Sequence, residues 1–206
     1  DALEIAEASS AMFNGKIAGV KIASELKGNK NNPIPDNWYA KAEELKSPPG
    51  IIKSYQTCNK EEGVFPVLHC LQEIPCNPCT TVCPTNSIKT EDGSLIAVPV
   101  YQGSCIGCGK CLLICPGLAI TLVDYRKDKD NPTVGIVYEV SNYPVKIGDK
   151  KILNDIDANE LGEYAITAVQ DFPKLHTQIV KFQVPKAIAK KVAGFRIQDK
   201  NVSIPL

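Results

Sequence analysis

The stretch CIGCGKCLLICP, residues 105–116, decides the fold of the central part of this chain. Its cysteines are separated by two, two and three residues, and a proline follows the last of them. Thiolates at such short spacing on one loop surround a single metal centre instead of forming disulfides. The stretch therefore predicts a metal-binding loop with four candidate ligands, Cys105, Cys108, Cys111 and Cys115.

The same spacing occurs once before in the chain. Three cysteines, a proline and an isoleucine recur 32 positions later: Cys76 as Cys108, Cys79 as Cys111, Cys83 as Cys115, Pro84 as Pro116 and Ile88 as Ile120. A fixed period of this length indicates a duplicated unit. The first copy is incomplete, however, because the position equivalent to Cys105 is occupied by Glu73.

The amino-acid composition argues against several classes of protein. The chain has nine cysteines in 206 residues, clustered in its middle, which argues against the disulfide framework of a secreted domain. Basic and acidic residues balance at 23 each, so no nucleic-acid-binding or membrane-surface face is expected. No apolar run is long enough for a membrane span, and no export signal opens the sequence. We expect a soluble protein of a reducing compartment, the cytoplasm.

Residues 70–124 resemble a bacterial-type ferredoxin domain with two [4Fe–4S] clusters, because seven cysteines and two prolines are in register with that pattern. The resemblance implies that each fourth cysteine serves the other copy's cluster. Cys83, Cys105, Cys108 and Cys111 would hold one cluster, and Cys76, Cys79 and Cys115 would hold three irons of the other. The alternative is zinc in two ribbon-like knuckles, although zinc ribbons lack the paired Cys-Pro ends.

The fourth ligand of the second cluster is left open among three candidates. Cys70 is the nearest cysteine, with five residues between it and Cys76, and this insert LQEIP could bulge outward. Cys58 is farther upstream. The corner could also be open or be filled by the carboxylate of Glu73, giving a three-iron cluster or a carboxylate-bound iron. Thiolate is the preferred ligand of these clusters, and the prediction favours Cys70.

Local patterns predict an α+β protein in three parts. Residues 1–50 are expected to be helical, with helices over 1–28 and 36–45 and a linker between them. Residues 51–125 form the two-cluster domain, with a strand near 64–70 and a hairpin over 87–98 that turns at Asp92 and Gly93. After the charged linker 126–132, residues 133–206 are expected to form a small β-barrel or sandwich. Its strands are predicted over 133–140, 164–170 and 178–184, and one helix over 185–193.

The amino-terminal stretch DALEIAEASSAMFNGKIAG resembles the closing segment of FAD-dependent, pyridine-nucleotide-disulfide-reductase-like oxidoreductases. That family implies an FAD contact by Asp1 and a helix start that faces the flavin. The alternative is an ordinary alanine-rich packing helix. No G-x-G-x-x-G occurs in the sequence, so FAD would lie on a missing portion or on a partner chain. Amino-acid dehydrogenases include flavoproteins with cysteine-rich extensions of this kind.

These features predict an electron-transfer component of a flavin-dependent oxidoreductase, in an anaerobic metabolism. Its partners would be a flavin-bearing polypeptide or other oxidoreductase subunits. No residue is a convincing catalytic acid, base or nucleophile, and His69 and His176 are isolated in the sequence. The alternatives are a stand-alone ferredoxin-type carrier and a non-redox binding module in which clusters have only a structural role.

Overall fold

The computed structural model describes residues 8–29, 33–45, 60–71, 73–139 and 144–197. Helices and strands are mixed in these ranges, and the largest sheet is antiparallel, so the α+β prediction is confirmed. The elements are α1 (Ala8–Leu26), α2 (Asp36–Glu44), β1 (Val64–Leu68), α3 (Pro78–Val82), β2 (Ile88–Lys89), β3 (Val100–Tyr101), α4 (Lys110–Ile114), β4 (Ile120–Asp124), β5 (Thr133–Glu139), β6 (Lys150–Asn154), β7 (Glu160–Phe172), β8 (Thr177–Gln183), α5 (Lys186–Ala189) and β9 (Gly194–Phe195).

The chain divides into two units. The first unit contains Asp1–Ser54, Leu71–Asn77 and Lys89–Pro99. Within it, Phe13 of α1 lies 5.8 Å from Trp38 of α2 between ring centroids. The Nζ atom of Lys16 lies 4.3 Å from the centroid of the same indole ring. These contacts join the two predicted helices, which the structure confirms within the described residues.

The second unit contains Tyr55–Cys70, Pro78–Ile88 and Val100–Leu206, and it is built on a seven-stranded sheet. The strand order is β1-β4-β5-β8-β7-β6-β9. Strands β4 and β5 pair directly, with Leu122 opposite Gly135, so the charged stretch 126–132 connects two neighbouring strands. The predicted domains 51–125 and 133–206 therefore contribute strands to one sheet, and their boundaries as separate domains remain a prediction.

Alternating side chains on this sheet separate two apolar layers, as the period of a strand requires. On β1, Phe65 and Val67 belong to a layer shared with β5, β6, β7 and β8. The neighbouring Val64 and Leu68 belong to the other layer, which includes cysteines of the two loops. The layer that includes Val64 and Leu68 thus packs against the buried cysteines of both loops, Cys79 and Cys111.

Several elements differ from their predicted extent. Strand β7 has 13 residues and includes the predicted 164–170, whereas β6 was not predicted because KKILN is largely polar. Helix α5 has four residues instead of nine, and Gly194 already begins β9. The hairpin was predicted over 87–98. Its first strand, Ile88–Lys89, lies within that range, but the strand it pairs with, Val100–Tyr101, lies just after it. Within the described ranges, no helix has the length and apolarity to cross a bilayer.

Candidate metal centre

The sequence repeat is also a repeat of the backbone. Helices α3 and α4 have five residues each, begin 32 positions apart, and pack against each other. Each is followed directly by a cysteine, Cys83 or Cys115. Three residues farther on, Asn86 and Leu118 have left-handed φ values of 49° and 51°. This conformation is uncommon for residues other than glycine, and its occurrence at equivalent positions shows that both copies turn in the same way.

The turn aims a backbone donor at each of these two sulfurs. The N–H of Ser87 donates to Cys83 Sγ at 3.3 Å, and the N–H of Ala119 donates to Cys115 Sγ at 3.3 Å. Hydrogen bonds of this kind stabilise the thiolate form of a cysteine and tune iron–sulfur centres. Sequence reasoning missed both donors, although the repeat relates residue 87 to residue 119 and could have indicated them.

Four cysteines line one apolar recess of the second unit. They are Cys83 from the first copy and Cys105, Cys108 and Cys111 from the second copy. Tyr101, Pro66 and Ile88 are among the other side chains that form its walls. The structure therefore brings together the four residues that the ferredoxin resemblance groups into one ligand set.

The recess is buried on one side and open on the other. Burial raises the pKa of Cys111 to about 12, and the neighbouring thiols of Cys105 and Cys108 add to the rise. Burial also acts to raise the pKa of Cys83, but hydrogen bonds from Thr85 and from backbone N–H groups outweigh it and lower that pKa overall. Cys108 is exposed. A buried thiol with a raised pKa ionises readily only beside a cation, and a bound metal deprotonates it.

Gly107 closes the Cys105–Cys108 loop. Its φ is +78°, and its N–H donates to Cys105 Sγ at 3.3 Å. A Cβ atom at this position would lie 3.1 Å from Arg126 Nη2 and 3.3 Å from a Val64 methyl group. Only glycine suits both the left-handed conformation and the close approach. Arg126 is thus a neighbour of the site that the sequence analysis did not identify.

The remaining predicted ligands are less fully assembled. Cys79 is buried, and it shares an apolar cluster with the half-buried Cys115. Cys70 comes two residues after β1, and the N–H of His69 donates to the carbonyl of Ala119 at 2.8 Å. Because β1 and β4 pair in register, this bond brings Cys70 alongside the turn that follows Cys115.

His69 is fixed in the same region. Its Nε2 atom lies 3.1 Å from Thr121 Oγ1, and burial lowers the pKa of its imidazole to about 4. The buried His69 imidazole is therefore neutral at pH 7 and lies beside Thr121 at the end of β1, and its structural role remains a prediction.

The other candidate residues fall elsewhere. Cys76 and Glu73 belong to the first unit. Cys58 and Asp1 lie outside the described residues. The ligand roles of these four residues therefore remain predictions from the sequence.

The described cysteines suit a cluster better than a single ion. In the described part of the chain, no three His, Cys, Asp or Glu side chains are grouped closely enough to hold one metal ion. An iron–sulfur cluster is less demanding, since each of its four thiolates binds a different iron. The apolar recess, its four thiols and its N–H donors to sulfur fit such a group.

Comparison with known proteins agrees with this chemistry. Residues 70–126 match the family model of the LdpA Fe–S cluster-binding domain. They form an iron–sulfur domain. No solved structure matches the chain.

Three relatives match parts of the chain. The chain is 44% identical over 50 residues to YsaA of Escherichia coli, a candidate electron transport protein. This match covers 24% of this chain and 30% of YsaA. It is 41% identical over 51 residues to the polyferredoxin-like subunit of an aliphatic sulfonate oxidoreductase from Pyrococcus furiosus, covering 25% and 29%. An uncharacterized ferredoxin of Methanocaldococcus jannaschii is 33% identical over 107 residues, covering 50% of this chain and 56% of the ferredoxin. The matches therefore span 29–56% of the relatives' lengths.

Proposed function

We propose that the chain is an electron-transfer component of an oxidoreductase and holds two [4Fe–4S] clusters. The observation that carries the proposal is the recess lined by Cys83, Cys105, Cys108 and Cys111. These four residues hold the first cluster. Similarity to a polyferredoxin-like oxidoreductase subunit and to a candidate electron transport protein supports the electron-transfer role.

The second cluster takes Cys70, Cys76, Cys79 and Cys115 as ligands. Cys70 is the displaced member, and the pairing of β1 with β4 supports it, because this pairing brings Cys70 to the turn after Cys115. A cysteine just beyond the end of β1 can replace the ligand that the loop lacks at Glu73.

The protein residues tune and protect the clusters. When bound, the clusters would supply one-electron chemistry, with each electron taken from a donor passed on to an acceptor, so that their oxidation state is the same after each cycle. The buried side chains of Ile88, Leu112 and Ile120 limit the access of water, which together with N–H donors to sulfur sets the reduction potential.

The donor in this proposal is a reduced flavin on a partner polypeptide, which supplies its two electrons singly. The sequence of α1 supports this partner by its resemblance to the closing helix of FAD-dependent oxidoreductases. Asp1 would contact the flavin there. The reducing cytoplasm is the compartment that suits cysteines kept as thiolates for metal.

Anaerobic reconstitution tests the cluster content. We expect about eight irons and about eight sulfides per chain, with visible absorption that dithionite bleaches reversibly. A cluster that no reductant changes would leave only the structural role, whereas absence of sulfide would exclude iron–sulfur binding.

Isolation from the native source tests the partnership. We expect the chain to co-purify with a flavin-bearing polypeptide, whose flavin reduces the clusters when its substrate is added. Isolation of a reducible chain without any partner would instead support the stand-alone carrier, to which the similarity with the Methanocaldococcus jannaschii ferredoxin also points.

A further inference from the structure

The two proposed clusters have unequal surroundings, and Arg126 contributes to the inequality. Its guanidinium forms a two-point ion pair with Asp124, with Nε donating to Oδ1 at 2.8 Å and Nη2 donating to Oδ2 at 2.6 Å. The backbone N–H of Arg126 also donates to Asp124 Oδ1 at 3.0 Å. Two hydrogen bonds from the guanidinium to one carboxylate hold this side chain in a defined position, although it remains 54% exposed.

The position of the guanidinium is against the cysteine loop. Its Nη2 atom lies 3.1 Å from where a Cβ of Gly107 would be, and the N–H of Gly107 donates to Cys105 Sγ. Arg126 is also an electrostatic neighbour of the Cys105 sulfur. A fixed positive charge is therefore placed beside one ligand of the recess.

At the equivalent positions of the first copy, neither the glycine nor the arginine of this arrangement is present. Thirty-two positions before Gly107 stands Pro75, which has no N–H to donate, and 32 positions before Arg126 stands the uncharged Ser94. Nearby positive charge and hydrogen bonds to sulfur both favour the reduced, more negative state of an iron–sulfur cluster. The charge of Arg126 and the N–H of Gly107 therefore both favour the reduced state of the cluster in the recess.

We propose that Arg126, positioned by Asp124, raises the reduction potential of the cluster at Cys83, Cys105, Cys108 and Cys111 above that of the other cluster. The recess is then the electron-collecting end of the pair, and the exposed Cys108 marks the side where an acceptor receives electrons. The inference rests on the proposed function, because it requires that both clusters are bound.

The test is a potentiometric titration followed by EPR on the anaerobically reconstituted full chain. We expect two one-electron transitions in the wild type. Cys108→Ser assigns the transition of the recess by altering it selectively. Arg126→Gln is expected to shift that transition to lower potential, decreasing the ratio of reduced to oxidised cluster at a fixed potential by about twofold to tenfold. A tenfold change corresponds to about 59 mV for a one-electron couple.

Matched variants distinguish an effect of the Arg126 charge on the potential from an effect of the substitution on the fold. Arg126→Lys keeps the charge and is expected to restore most of the potential. Lys150→Gln removes another exposed cation, paired with Glu163 at 3.6 Å on β6 and β7, and should leave both transitions in place. Asp124→Asn leaves the guanidinium uncompensated and is expected to shift the recess transition to higher potential, which provides a second test if Arg126→Gln loses iron.

The outcomes distinguish the two proposals. A wild-type chain without reducible clusters would remove the proposed function and this inference together. The inference alone would be overturned if both transitions are present and Arg126→Gln shifts neither reduction potential, or shifts both equally. The inference would also be overturned if Asp124→Asn lowers the reduction potential of the recess transition or leaves it unchanged.

Discussion

The two cysteine loops have the same backbone course but different neighbours. Both have a five-residue helix, a following cysteine and a left-handed residue three positions later. Both also aim an N–H at the sulfur of that cysteine. The second loop adds a complete set of four cysteines and the packed Gly107, whereas the first loop has Glu73 and Pro75 at the matching positions.

This difference shows which parts of a duplicated metal loop must be kept. Both copies keep the turn after the helix, because the N–H donor depends on its backbone angles. The first cysteine of a copy is less constrained, since a neighbouring strand can supply a thiol from another direction. In our proposal the segment that follows β1 does so, and Cys70 replaces the ligand that the first loop lacks.

Replacing the central cysteine of each loop gives the largest expected effect. Cys79 and Cys111 occupy equivalent positions and are only 5% and 8% exposed. In each variant, Cys79→Ser or Cys111→Ser, we expect loss of one cluster, or about four of about eight irons, because a buried central ligand is lost. Iron and sulfide assays after anaerobic reconstitution measure this. Unequal losses would show that the copies are not equivalent as metal sites.

The displaced ligand is tested by Cys70→Ser, with Cys58→Ser as the matched control. Cys70 is a half-buried corner of the second site, so its loss should remove one iron instead of a whole cluster. We expect a three-iron cluster, detected by EPR of the oxidised protein, and an unchanged signal in the control. The reverse result would assign the ligand to Cys58, and two unchanged variants would favour an open corner or Glu73.

Sequence periodicity predicted the parts of the site that depend on spacing along the chain. The offset of 32 residues relates six cysteines in three pairs, and the structure shows the same offset in α3 and α4. It could not show that β4 and β5 pair across the charged stretch 126–132, because this stretch has the composition of a linker.

Arg126 was missed for a related reason. Its approach to Gly107 depends on where β4 ends and on its pairing with Asp124, which lies only two residues away. Neither feature leaves a periodic signal. Contacts within a loop were thus accessible from the sequence, whereas contacts between the loop and the sheet needed the fold.

A smaller effect is expected from Gly107→Ala, which compares the packed second loop with the first. The variant places a Cβ at a φ of +78° and 3.1 Å from Arg126 Nη2. A left-handed backbone costs an alanine about 1–2 kcal/mol, so the thermal midpoint should fall by about 2–8 °C. Scanning calorimetry of the reconstituted protein measures the midpoint, and iron release to a chelator should be faster.

The matched control for that variant is Pro75→Ala, at the equivalent position of the first copy. It introduces no left-handed strain on the second loop and should leave iron release from the recess unchanged. Equal sensitivity at both positions would contradict the view that only the second loop is packed against the sheet in this way.

The smallest effect is expected at the hydrogen bond that joins the two loops. Ser87 is 2% exposed, and its hydroxyl donates to the carbonyl of Ser104 at 2.6 Å, directly before Cys105. Ser87→Ala removes this bond but keeps the backbone N–H that donates to Cys83 Sγ. We expect a loss of about 1 kcal/mol and a thermal midpoint lower by about 2–4 °C.

Iron content separates the two roles of residue 87. The equivalent residue of the second copy is Ala119, which already combines an alanine side chain with an N–H donor to Cys115 Sγ at 3.3 Å. An alanine is therefore compatible with this turn, and Ser87→Ala should retain its full iron while melting earlier. If the variant loses the recess cluster, the hydroxyl bridge and not the backbone N–H holds Cys83 in place, and the two loops are less alike than their turns indicate.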